Sequence, residues 1–258
     1  METMEKTINQ AKTIDEVLEK LDIIIAESLQ NNNPPGFFAY IYRRTTAQIK
    51  QAILEGKFED NARMEKFDVH FANKYLEAYR DYHAGQPVCG PWKTAFDAGK
   101  EKLTILQHII LGMNAHINYD LGMAAAEFTA GTKIESMKND FMLVNDVLAS
   151  LVDELQIKVG RVSKLMFLLD WIGKRTDEEV MNFSMEKARH QAWSFAVKLS
   201  VLSNQDKKAK MNEVDEIIGK LGGIVISPPG KVMAFTIKII SFFESKDVKK
   251  IIAKLEED

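Results

Sequence analysis

Between Leu106 and Met123 most residues of the chain are Leu, Ile, Met, Ala and Gly, in the order LQHIILGMNAHINYDLGM. A helix that is apolar all round must be surrounded by other protein. This one segment therefore calls for a fold in which further elements wrap it. Embedded in the oily run are His108, Asn114, His116, Asn118 and Asp120. At 100° per residue, His108, Gly112, His116 and Asp120 fall along one slowly drifting stripe, with Asp120 a single turn beyond His116. A buried imidazole or carboxylate without a partner costs several kcal/mol or changes its protonation. Gly112 and Gly122 each cost about 1 kcal/mol against Ala in a helix interior, which implies that close approach is wanted beside them.

The remaining segments supply the wrapping. Ile14, Val17, Leu18, Leu21, Ile24, Ile25 and Leu29 share one face over residues 13–29, and Thr13 with Glu16 forms the pattern of a capping box. The run Asn31-Asn32-Asn33-Pro34-Pro35-Gly36 breaks the chain. Helices are expected over 38–54, stopped by Gly56, and over 61–83, with Phe67, Phe71, Tyr75 and Tyr79 at i+4 steps. Residues 85–91 read as a loop, and 102–128 as one long helix. Residues 134–159, 164–172 and 178–202 follow as helical or short apolar elements. Residues 213–221 form a helix ended by Gly222-Gly223, and Ser227-Pro228-Pro229-Gly230 is the sharpest break. Helices over 232–243 and 247–255 close the chain. The one strand-like run, 223–226, is too short to found a sheet. The expected fold is a single all-α domain over 1–258, a bundle of nine or ten helices around a buried central one. The helix over 13–30 is peripheral, and those over 232–255 pack on the bundle.

Composition narrows the function classes. A net charge of −3, from 34 basic and 37 acidic residues, gives no bulk positive field for nucleic acid. No apolar run approaches the ~20 residues of a membrane-spanning helix. The first twenty residues lack the apolar core of a secretory signal. With one cysteine, Cys89, disulfide scaffolds and Cys-based zinc fingers are excluded, and a cytoplasmic setting is expected. Cys89 has no nearby cation before Lys93 and reads as an unactivated thiol. No G-x-S-x-G, G-x-G-x-x-G or P-loop occurs.

The chemistry is expected around His116 and Asp120, for which two readings compete. In one, they are metal ligands or an acid–base pair, with Asp68 or His70 completing a divalent metal site and Arg189 holding an anionic group. Catalytic candidates are His116, Asp120 and Arg189; metal candidates are His116, Asp120 and Asp68; substrate-binding candidates are Arg63, Asn114 and Trp193. Arg189 and Trp193 stand one turn apart, so the guanidinium can lie over the indole or fork onto Asp68 or Asp120. In the other reading, Asp120 merely fixes the tautomer of His116 in a buried network tying helices together. The twelve Met and fourteen Phe also suit the wall of a pocket for a small apolar ligand.

The blocks FAYIYRRT from Phe38, RMEKFDVHFANKY from Arg63, GMNAHINYDL from Gly112 and ARHQAW from Ala188 resemble the signature blocks of an uncharacterised bacterial family of helical proteins. The likeness covers the chain from about residue 35 onward. It implies a helical fold and brings no activity. Shared polar residues of such a family would fall here on Arg63, Asp68, Asn114, His116, Asp120 and Arg189. The functional expectation is a hydrolase- or lyase-type enzyme with a polar site buried among helices. The alternatives are a non-catalytic binder of a small apolar molecule, and a structural or partner-binding helical protein. The sequence does not fix the oligomeric state.

Overall fold

The computed structural model describes residues 8–165 and 185–257. Eleven α-helices run through these residues, and none of them forms a strand. They are α1 (Ile14–Asn31), α2 (Gly36–Leu54), α3 (Asn61–His83), α4 (Gly90–Asp97), α5 (Ile105–Met113), α6 (Leu121–Phe128), α7 (Lys138–Val162), α8 (Met185–Ser200), α9 (Asn204–Ile226), α10 (Lys231–Phe243) and α11 (Val248–Glu256). The all-α expectation holds. The element expected over 164–172 and the start of that over 178–202 lie largely outside the described residues.

Local chemistry sets the boundaries. The Thr13 hydroxyl accepts from the Glu16 amide at the start of α1, while the Glu16 carboxylate turns back to the Lys12 amide. Asn32, with φ of 51°, takes the left-handed cap at its end. Asp60 caps α3 through the Arg63 amide, and Pro91 stands in the first turn of α4, where its missing N–H is harmless. The Thr104 hydroxyl and Gln107 side chain make a reciprocal capping box on α5. α4 itself falls partly in the stretch read from sequence as loop. A second departure is α9, which continues through Gly222 and Gly223 to Ile226, so these glycines do not end a helix. Gly222 lies instead where α9 passes Thr94 of α4 and Leu111 of α5. The missing Cβ is used for packing, and the break waits for the two prolines.

The predicted 102–128 helix exists as α5, a π-helical segment over Asn114–Asp120, and α6. The Leu121 amide bonds the His116 carbonyl, the i→i−5 pattern of a π turn. This composite helix joins the two main hydrophobic cores. Ile105, Ile109, Ile110 and Leu111 of α5 pack in the first, with Val17, Leu21 and Ile24 of α1 and Ile251, Ile252 and Leu255 of α11. Leu121, Met123 and Ala124–Ala126 pack in the second, with Phe141 and Leu148 of α7 and Ala192 and Ala196 of α8.

An ion pair with a fully buried carboxylate pins the start of α3. Asp140 is 0% exposed and accepts from Arg63 Nη2 at 2.7 Å, the Glu59 amide at 2.7 Å and the Asp60 amide at 3.2 Å. Three donors on one carboxylate meet the condition under which a buried charge is tolerated.

The two glycines of the central run are packing positions. A Cβ at Gly112 would stand 2.3 Å from the Phe38 ring, and one at Gly122 would stand 2.8 Å from the Ala192 carbonyl oxygen and 2.7 Å from Phe195. Helix propensity alone favours Gly122→Ala by about 1 kcal/mol, whereas overpacking against a backbone costs about 1–3 kcal/mol. Gly122→Ala is therefore expected to lower the urea midpoint. A raised midpoint would show that α6 and α8 can separate freely.

Candidate functional site

The π turn places His116 and Asp120 side by side inside the protein. His116 Nδ1 lies 3.1 Å from Asp120 Oδ2, and the indole Nε1–H of Trp92 on α4 donates to the same oxygen at 2.8 Å. Indole can only donate, so Oδ2 is an acceptor with a second lone pair free for the imidazole. We assign the proton of neutral His116 to Nδ1, which leaves the Nε2 lone pair on the opposite edge. The ring is 0% exposed. It stacks on Phe71 with centroids 3.8 Å and planes 8° apart, and Tyr42 meets it edge-on at 4.5 Å. Burial drives the His116 pKa down, and Asp120 opposes this. Burial raises Asp120, and the bonds from His116 and Trp92 pull it back.

Beyond His116 lies a cavity of about 60 Å³ whose walls include Tyr42, Asp68, His116 and Arg189. Four buried polar atoms on these residues have no hydrogen-bond partner among the described residues: Tyr42 Oη, Asp68 Oδ2, His116 Nε2 and Arg189 Nε. Buried polar atoms are nearly always satisfied, and each exception calls for an explanation. A water needs only about 10–15 Å³ of such space, so the cavity has room for several waters or a small molecule. Asp68 is half-buried as a residue, yet its Oδ2 is shut off from solvent. Burial pushes its carboxyl up to about 7, while Arg189 pulls it down and Glu65 raises it. Burial lowers Arg189 to about 10, against the pull of Asp68. Apart from Thr45, the remaining wall is apolar, including Phe38, Ile41, Met64, Phe67 and Leu148.

Three nominated residues stand elsewhere. Arg63 serves Asp140 at the head of α3. Asn114 donates to the Ile218 carbonyl at 3.0 Å and accepts from Asn118, tying the π turn to α9. Trp193 packs against Phe141 with centroids 4.9 Å apart. Arg189 lies over Phe141, 4.6 Å from its centroid, and donates to the Phe141 carbonyl at 2.6 Å. It neither covers Trp193 nor forks onto Asp68 or Asp120.

The nominated metal ligands are not brought together around one point. Asp120 grips the Nδ1 side of His116, away from Nε2 and Asp68. His70 faces Glu127 at 3.3 Å. Among the described residues no three His, Cys, Asp or Glu side chains gather as a metal site. Cys89 is not activated, since burial pushes its thiol up to about 12.

Sequence reasoning missed Trp92 and Tyr42. Trp92 follows a Gly-Pro helix start, and Tyr42 stands one turn after Phe38. Both signals mark helix faces but carry no sign of what those faces meet.

The Asp68 carboxyl gives a stability prediction with a definite sign. Its folded value, about 7, exceeds the unfolded 3.8. The folded state thus holds a proton that the unfolded state has lost. Stability from this group is complete below about pH 4 and is lost as pH rises to about 7, by up to about 4 kcal/mol. Urea unfolding between pH 4 and 8 should show this decline, with Asp68→Asn removing its share and exceeding the wild type at pH 8. An unchanged slope in Asp68→Asn would place the titration elsewhere.

No curated protein and no solved structure matches the chain. A family model does match it, over residues 14–228, the greater part of its length. The chain belongs to that family, DUF5995, a family of unknown function.

Proposed function

We propose that the chain is a hydrolase- or lyase-type enzyme acting by general acid–base catalysis on a small anionic substrate in the His116 cavity. One observation carries this reading. Trp92 and Asp120 lock His116 from behind, and its unpartnered Nε2 shares a cavity with Asp68, Tyr42 and Arg189.

In this reading Nε2 takes a proton from water or substrate, and Asp120 stabilises the imidazolium that forms. Asp68, titrating near 7, is present in both forms around neutral pH and supplies the proton that departs. Arg189 Nε faces the anionic group or developing oxyanion. Neutral imidazole and raised carboxyl are opposite displacements by one cause, burial, and they prepare a base beside an acid.

The largely apolar wall favours a second reading, a binder of a small apolar molecule oriented by the same four atoms. Activity separates the two. Wild type, His116→Gln and Asp68→Asn would be compared on p-nitrophenyl esters of short mono- and dicarboxylic acids, on p-nitrophenyl phosphate, and on small β-hydroxy acids followed for loss of water. Catalysis predicts turnover of at least one substrate, reduced about 10²–10⁴-fold in His116→Gln, and a pH profile whose limb near 7 disappears in Asp68→Asn. Equal rates in wild type and His116→Gln, or no turnover of any of these substrates, would favour the binder.

A further inference from the structure

A second and larger cavity, about 670 Å³, opens where residues matched by the family model meet the two helices that follow them. Its walls include the N-terminal ends of three helices: Phe37 of α2, Ile105 of α5 and Val248 of α11. The amides at two of these ends are already taken: the Ile105 N–H donates to Glu244 and the Val248 N–H to Asn32 Oδ1. Lys102, Lys238 and Lys246 also line it. Among the described residues none of these ammonium groups has a carboxylate within ion-pair distance, although Glu244 acts on Lys246 from farther off. Lys246 bonds the Ser241 hydroxyl at 3.0 Å and the Leu103 carbonyl at 3.4 Å instead.

Two acidic residues, Glu101 and Glu244, share the walls. Glu244 is already engaged, accepting from the Ile105 amide at 2.8 Å and from the Ser163 hydroxyl. His108 is 6% exposed and lines the cavity, and its Nδ1 has no hydrogen-bond partner among the described residues. Burial and Lys246 lower the imidazole to about 4, so it is neutral at physiological pH. Asn32, Ser241 and Ser245 add neutral polar groups, and the apolar part of the lining includes Phe37, Ile105, Val248 and Ile251, which are buried, and Phe242, 81% exposed, at the rim.

We propose that this cavity binds a soluble amphiphilic monoanion, a medium-chain carboxylate. Its head group sits among Lys102, Lys238 and Lys246, and its chain lies against Phe37, Ile251 and Phe242. The three ammonium groups select the charge, and the aromatic and aliphatic wall selects the tail. This inference does not rest on the activity assigned to the His116 cavity.

The test is titration of the full chain with octanoate, followed by calorimetry and by NMR of the His108 imidazole and the Ser241 and Ser245 amides. Saturable shifts at these groups are expected. Affinity should fall at least tenfold in the double variant Lys102→Ala/Lys246→Ala, both of whose lysines are exposed, with its fold checked by circular dichroism, and at least tenfold for 1-octanol in place of octanoate. His116→Gln should bind as the wild type does. Absence of saturable shifts, equal affinity in the double variant, or loss of binding in His116→Gln would overturn the proposal. Binding to anionic phosphatidylglycerol vesicles without octanoate binding would replace it with a membrane surface.

Discussion

Everything at the His116 site depends on one oxygen. Asp120 Oδ2 takes the indole proton of Trp92 and faces the imidazole of His116, and all three groups are buried. A single carboxylate in that environment would be driven to protonate, and a single imidazole would turn in its cage. Two directed bonds onto one atom remove both freedoms. They hold a helix, a neighbouring helix and a ring orientation together, so position and chemistry are set by the same contact. The Phe71 face and the Tyr42 edge then fix the ring plane that the hydrogen bond leaves open.

The π turn is the backbone counterpart of this arrangement. An α-helix through 114–120 would keep the apolar stripe in simple register. The wider turn accommodates one additional residue and alters the direction of everything after it. Its polar side chains are not idle. Asn114 reaches the Ile218 carbonyl on α9, and Asn118 donates to Asn114. The widened segment is thus held from outside by α9 and from inside by the His116–Asp120 bond. Gly112 before it and Gly122 after it let Phe38 and α8 come close, so the distorted stretch lies between two tight contacts.

Legibility in the sequence followed the range of the interaction. Thr13, Asp60 and Asp247 act on amides three residues away, and the helices they start stand where spacing placed them. The i+4 aromatic ladder of α3 likewise marked a buried face. Gly222 misled because a glycine can end a helix or admit a neighbour, and only the passing α4 and α5 decide which. Arg63 misled for the same kind of reason. Its partner Asp140 lies 77 residues away at the head of α7, and nothing near Arg63 in the chain announces a buried carboxylate. Within the site, the His116–Asp120 pair was readable because it is local. Trp92 and Tyr42 were not, because each belongs to another helix whose packing fixes its direction.

The two buried histidines of the central run show how environment separates identical side chains. His108 and His116 stand eight residues apart on one helical path, about 12 Å at 1.5 Å per residue. Burial lowers both. His108 faces Lys246, so protonation there would add like charge to like and is opposed twice. His116 has a carboxylate behind it, so protonation completes an ion pair and is opposed only by burial. One ring is confined to hydrogen bonding as a neutral group, whereas the other can accept a proton and return it. The difference lies in Lys246 and Asp120, not in the imidazoles, so one helical path holds two rings whose protonation is opposed to different degrees.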